Sequence, residues 1–135
     1  MTYKSYKNFK FAPKTVQKFV IVCQQNLLDD KLGTEIVINN ESKIRVAFDG
    51  KTPVGLVMYN SYETDNIWIY LIYIDIEYRR KGICTKFLKY IIKENPDIKI
   101  EYGTHPENSN MILAGNLVGF NRRCIIMEYN NIKKE

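Results

Sequence analysis

The chain of 135 residues holds one histidine, one tryptophan, three cysteines, four prolines and seven glycines. Each scarcity excludes something. With so little proline and glycine, no collagen-like or low-complexity segment is present. Cys23, Cys84 and Cys124 are odd in number, far apart and without CxxC spacing, which argues against a disulfide framework or a zinc site and suits a reducing compartment. No other metal-ligand constellation is visible. No apolar run reaches the roughly 18 to 20 residues needed to span a bilayer. Residues 1–7, Met-Thr-Tyr-Lys-Ser-Tyr-Lys, lack the hydrophobic centre of a signal peptide. A cytoplasmic protein without a membrane partner is expected.

What is present is an ordinary globular composition, with 45% hydrophobic and 26% charged residues. The length suits a single domain over residues 1–135, which can bury roughly two thirds of its unfolded surface. The net charge of +5 favours anionic partners, but nucleic acid, acidic lipid and phosphorylated cofactors all qualify. Charge is informative only locally: Arg79, Arg80, Lys81, Lys86 and Lys89 occur with no acid between them.

Hydrophobic periodicity divides the chain. Residues 13–31 start at Pro13 and carry Val16, Phe19, Val20, Cys23, Leu27 and Leu28 at mostly three- and four-residue steps, predicting a helix that ends near Gly33. Residues 43–49 alternate, with Ile44, Val46 and Phe48 on one face. Residues 50–53 have turn chemistry and residues 54–59 are again β-rich, so a hairpin is predicted. Residues 67–76 are apolar at almost every position, the signature of a strand covered on both faces. The period then changes at residues 78–82, and Ile83, Phe87, Leu88, Ile91 and Ile92 mark a helical face that Asn95 and Pro96 stop. Residues 98–102 alternate as another strand, Asn108 is placed to cap a short helix ending at Gly119, and residues 122–129 read as a last strand. The fold class is mixed α/β (α+β), a central and mostly antiparallel sheet flanked by helices.

The strongest chemical signal is the segment from Ile72 to Thr85, Ile-Tyr-Ile-Asp-Ile-Glu-Tyr-Arg-Arg-Lys-Gly-Ile-Cys-Thr. A strand entering a glycine-containing turn that opens a helix leaves main-chain N–H groups unpaired at the positive end of the helix dipole. Such a turn can seat phosphate oxygens, or it can be an ordinary connection with solvated cations.

This segment resembles the acetyl-CoA-binding motif of the GCN5-related N-acetyltransferase (GNAT) superfamily. There an apolar strand and an Asp-Pro-Glu-Tyr-like bend precede an Arg/Gln-x-x-Gly-x-Gly/Ala loop and a helix. Arg79, Gly82 and Cys84 stand at the loop's marked positions, and Ile76 replaces the common Pro. Asn108, Met111, Ile112 and the later Val118-Gly119-Phe120 resemble the family's Asn-to-Gly-Phe helix, and the hairpin around residues 50–55 resembles its earlier one. The likeness covers roughly residues 40–130. It implies a GNAT-like fold and an N-acetyltransferase that uses acetyl-CoA as cosubstrate and acetylates a primary amine by direct attack. It further implies that main-chain groups of Ile72, Tyr73 and Ile74 line the pantetheine arm. Arg79, Arg80, Lys81, Gly82, Ile83, Cys84 and Thr85 would form the pyrophosphate loop, and Asn108 would face the pantetheine or acetyl end. The acceptor stays open among small amines, protein amino groups and aminoacyl-tRNA.

The family's acid and base positions do not carry over. A Tyr seven residues after the Asn is here Gly115, a Glu five before it is Gly103, and a strand Glu corresponds to Trp68. Local candidates for proton transfer are His105, whose pKa suits it, and Tyr70, which shares a strand face with Trp68 where amines would approach. His105 can equally be a solvated loop residue, and Tyr70 a packing residue. Cys84 is either a thiolate favoured by the first helical turn and its basic neighbours or a small buried residue under the helix. Two other functions fit: a regulatory module that binds acetyl-CoA without transfer, and a nucleic-acid binder using ten tyrosines and 20 basic residues.

Overall fold

The computed structural model describes residues 1–29, 38–62, 66–104 and 108–122. Five strands form one sheet in the order β1 (Thr2–Tyr6), β2 (Lys43–Asp49), β3 (Thr52–Tyr62), β4 (Asn66–Ile74) and β5 (Lys99–Tyr102). The first three pairings are antiparallel and β4–β5 is parallel. Helix α1 (Lys14–Asp29) lies between β1 and β2 in sequence, α2 (Ile83–Glu94) between β4 and β5, and α3 (Ser109–Leu117) after β5. A parallel neighbour needs a crossover connection, and α2 supplies it.

The sheet separates two cores. Val16, Val20 and Cys23 of α1 pack on Ile44, Val46, Phe48, Leu56, Met58, Leu71 and Tyr73. On the opposite face Ile83, Phe87, Leu88 and Ile91 of α2, with Met111 of α3, pack on Ala47, Val54, Val57, Tyr59, Ile67 and Ile69. The face assigned to Ile44, Val46 and Phe48 is thus the α1 face. β4 is buried from both sides, as an uninterrupted apolar run requires.

The expected α2 stripe is corrected at one position. Ile83, Phe87, Leu88 and Ile91 are buried, but Ile92 is 38% exposed, one step round the helix from the core. β1 has no counterpart among the predicted strands. Its sequence Thr-Tyr-Lys-Ser-Tyr has no buried position, because an edge strand held by β2 alone needs no apolar alternation. The predicted end of α1 and the predicted strand at residues 122–129 fall largely outside the described residues.

One irregularity organises β4. Met58 pairs with Leu71, but the next β3 residue, Tyr59, pairs with Ile69. Tyr70 is therefore the extra residue of a β-bulge. The bulge reverses the sides: Ile67 and Ile69 face α2, whereas Leu71 and Tyr73 face α1. Close by, the pairing of β4 with β5 ends at Ile69–Tyr102. Beyond that point the second edge of β4 has no neighbouring strand among the described residues.

Candidate active site

The main chain of residues 71–75 can be oriented from one hydrogen bond. Asp75 N–H donates to Val54 O at 2.8 Å, so Val54 and Asp75 are a hydrogen-bonded pair of the antiparallel ladder. Alternation then turns the N–H and C=O groups of Leu71 and Tyr73 toward β3, and those of Ile72 and Ile74 toward the open edge. Arg79 Nε donates to Ile74 O at 2.8 Å, which agrees with that assignment. The open groups are thus those of Ile72 and the N–H of Ile74. Tyr73 is corrected as a main-chain contact: its amide serves β3, and its buried hydroxyl accepts from Asn26 Nδ2 at 3.1 Å on the α1 side.

After β4 the chain makes a single 3-10 turn (Ile76–Tyr78) and enters α2 through Arg79–Gly82. Arg79 holds Ile74 O, and Tyr78 Oη donates to Asp49 Oδ2 at 2.6 Å, tying the turn to the β2–β3 hairpin. Burial raises the Asp75 carboxyl pKa, while the Arg79 charge opposes the shift. Backbone φ is −73° at Arg79, +63° at Arg80 and +81° at Gly82. With Arg79 extended (ψ 157°), left-handed Arg80 and Gly82 make the kind of turn that can aim N–H groups at an anion, and this turn is the candidate nest. The first helical bond runs from Lys86 N–H to Gly82 O at 3.0 Å. That leaves the amides of Ile83, Cys84 and Thr85 without intrahelical acceptors. A Cβ at Gly82 would meet nothing within 4 Å: the space in front of the nest is open.

The basic residues do not form one patch. The Arg79 guanidinium lies 5.4 Å from the Tyr73 ring centroid, and Lys86 Nζ lies 5.5 Å from that of Tyr3. Arg80 and Lys81 are exposed beside the nest, with Lys81 Nζ 5.2 Å from the Tyr78 ring. Cys84 is half-buried, nearer the packed of its two readings. Its thiol packs 3.8 Å from Met111 Sδ, and burial pushes its pKa up to about 11. The side chain faces the core while its amide remains at the helix start.

Asn108 caps α3, its Oδ1 accepting from Met111 N–H at 3.3 Å. Tyr70 Oη donates to Ser42 Oγ, which in turn donates to Asn60 Oδ1 at 2.6 Å. Ser42 is fully buried, so this hydroxyl is committed to bracing the bulge against the hairpin. His105 lies outside the described residues. Two residues that the sequence analysis did not single out stand beside the strand parting. Tyr102 Oη donates to Met111 O at 3.0 Å, and burial raises the phenol's pKa, as does the nearby Cys84. Glu101 lines a cleft of about 270 Å³ with Asn66, Ile67 and Trp68. Neither had a motif to mark it, because each gains its place only from the β4–β5 register.

Known proteins share this fold. The sequence profile of the acetyltransferase (GNAT) family matches residues 8–112, and the chain belongs to that family. As a member it is an N-acetyltransferase with acetyl-CoA as its cosubstrate. No curated protein matches the sequence closely enough to count as a relative. Among solved structures, an aminoglycoside N-acetyltransferase crystallised with CoA superposes with a TM-score of 0.67 at 13% identity, over 98% of this chain and 100% of that one. A GNAT family acetyltransferase from Streptococcus pneumoniae TIGR4 gives 0.68 at 18% identity, over 98% of each chain. An aminoglycoside acetyltransferase from an uncultured soil metagenomic sample, in complex with sisomicin, gives 0.65 at 13%, over 97% of each. At these identities the likeness is one of fold.

Proposed function

We propose that the chain moves the acetyl group of acetyl-CoA onto a primary amine by direct attack, and that the nest at residues 79–82 seats the cosubstrate's pyrophosphate. The observation that carries this reading is the continuity of two unsatisfied main-chain features: the open β4 edge at Ile72 and Ile74, and the unpaired amides at the start of α2. The residues present fit the cosubstrate. Amides of Arg80, Lys81, Gly82, Ile83, Cys84 and Thr85 supply donors for phosphate oxygens, helped by the helix dipole. The exposed Arg80 and Lys81 side chains add charge. Ile72 offers one donor and one acceptor to an amide-bearing arm, and Ile74 a donor. Asn108, its Oδ1 committed to the helix cap, keeps its Nδ2 for the acetyl end.

Acetyl-CoA supplies an activated thioester. The nitrogen–carbon bond forms as the carbon–sulfur bond breaks, and the proton lost by the amine balances the departing thiolate. The amine must reach the site neutral, and an acceptor of low basicity or a water chain reduces the need for a dedicated base. Holding the two reactants on one strand edge provides the positional part of the catalysis. Small amines, protein amines and aminoacyl-tRNA are the acceptor classes to be separated. The test is release of CoA thiol across a panel of all three. Release with one class assigns the acceptor, and no release with any, despite acetyl-CoA binding, favours a regulatory module.

A further inference from the structure

The cleft of about 270 Å³ bounded by Asn66, Ile67, Trp68 and Glu101 has the chemistry of a cation site. Trp68 and Glu101 are direct partners in the parallel register, so both side chains stand on the same face of the sheet. The indole is 36% exposed, presenting an aromatic surface beside a carboxylate. A carboxylate beside an accessible ring selects an ammonium group, which both attract and which a neutral molecule cannot replace. Lys99 Nζ, on a half-exposed side chain, lies 3.8 Å from Glu101 Oε1, so the carboxylate already attracts a cation there. Gly103 lies beside the ring's far edge, where a Cβ would make ordinary contact with Trp68 Cη2 at 3.5 Å.

Position gives the cleft its meaning. The pair after Trp68–Glu101 is Ile69–Tyr102, the last before the strands part. Trp68 lies four residues before Ile72, about 13 Å along a strand. A bound molecule can therefore hold one positive group between Trp68 and Glu101 and extend a second nitrogen into the parting, toward the open edge of β4.

We propose that this cleft is the acceptor subsite, and that it selects amines carrying a second positive charge: aliphatic diamines or polyamines. The proposal rests on the transferase reading for its purpose but not for its test. Trp68 is the only tryptophan in the chain, so its fluorescence reports on the cleft directly, without turnover. Titration with putrescine should give a saturable change in Trp68 emission. The uncharged analogue 1,4-butanediol should bind at least tenfold more weakly, and Glu101→Gln should weaken putrescine by at least tenfold while leaving the acetyl-CoA-induced shift unchanged. Calorimetry of the same titrations detects binding that leaves the emission unaltered.

Equal affinity for putrescine and 1,4-butanediol would overturn the proposal, as would affinity unaffected by Glu101→Gln. Absence of putrescine binding by both methods, in a protein that acetyl-CoA still stabilises, would overturn the subsite and leave the transferase reading standing. Binding of putrescine without any acetyl-CoA effect would do the reverse.

Discussion

The hydroxyl of Tyr102 fills the place that a side chain on Gly115 would need. A Cβ built at residue 115 collides with Tyr102 Oη and comes within 3.0 Å of its Cζ, while that hydroxyl donates to Met111 O one turn earlier in α3. The absence of a tyrosine on α3 at this position is thus part of the packing: β5 sends a phenol across into the helix, and the helix makes room for it. Phe120 closes the arrangement, its ring centroid 5.0 Å from that of Tyr102.

Gly115→Ala should therefore destabilise the fold by about 1–3 kcal/mol through overpacking, read as a lower urea midpoint with unchanged slope. Removing the colliding oxygen with Tyr102→Phe should make the double variant less unstable than the sum of the single changes, by at least about 0.5 kcal/mol. Additive losses would show that the two residues do not compete for one space.

Gly82 is constrained by its backbone, not by crowding. Its φ is +81° and nothing lies within 4 Å of a Cβ there. Asparagine tolerates this left-handed conformation, so Gly82→Asn should fold within about 1 kcal/mol of the parent. Its side chain would nevertheless stand in front of the amide nest. At 100 times the dissociation constant, acetyl-CoA should stabilise the parent by about 2.7 kcal/mol. The variant should lose most of that shift in a thermal melt, and retention of the full shift would move the phosphates elsewhere.

The hydroxyl of Tyr70 is engaged with the buried Ser42. Tyr70→Phe should cost about 1 kcal/mol of stability and lower kcat less than tenfold. A proton-transferring residue would instead lose on the order of 100-fold or more. A steady-state assay beside a denaturation curve separates the two roles.

Burial holds protons on several groups at alkaline pH. The Cys84 thiol is raised to about 11 and the Tyr59 phenol to about 12, and Tyr3 and Tyr102 are raised as well. The unfolded chain releases these protons at lower pH than the folded chain does. The stability they contribute is complete below about pH 8.5, the ordinary thiol value, and declines as pH rises toward 11 and 12. Urea midpoints at pH 8, 9.5 and 10.5 should fall in that order, with a shallower fall for Cys84→Ala. Alkylation of Cys84 in the folded protein should be slow at pH 7.5, and fast alkylation there would contradict its raised pKa and its packing against Met111.

Much of this was legible in the sequence, for identifiable reasons. The α2 stripe and the hairpin show clean periodicity, and Arg79, Gly82 and the helix start form a local motif whose backbone needs are visible in its residue types. The bulge at Tyr70 was not legible, because a run apolar at nearly every position from Ile67 to Ile74 gives no alternation whose reversal could be seen. For the same reason the contributions of Ile72, Tyr73 and Ile74 could be separated only by the hydrogen bond from Asp75 to Val54. Trp68 with Glu101, and Tyr102 with Gly115, are more than ten residues apart in the chain, and only the strand register or the docking of α3 joins them.

The amides at the start of α2 carry the central claim, and a nitrogen–proton correlation spectrum titrated with CoA reads them one by one. The account predicts that Arg80, Lys81, Gly82, Ile83, Cys84 and Thr85 show the largest saturable shifts, with Ile72 and Ile74 following, and that Gly82→Asn suppresses them. Saturable binding that leaves these amides unmoved and shifts another region would contradict it.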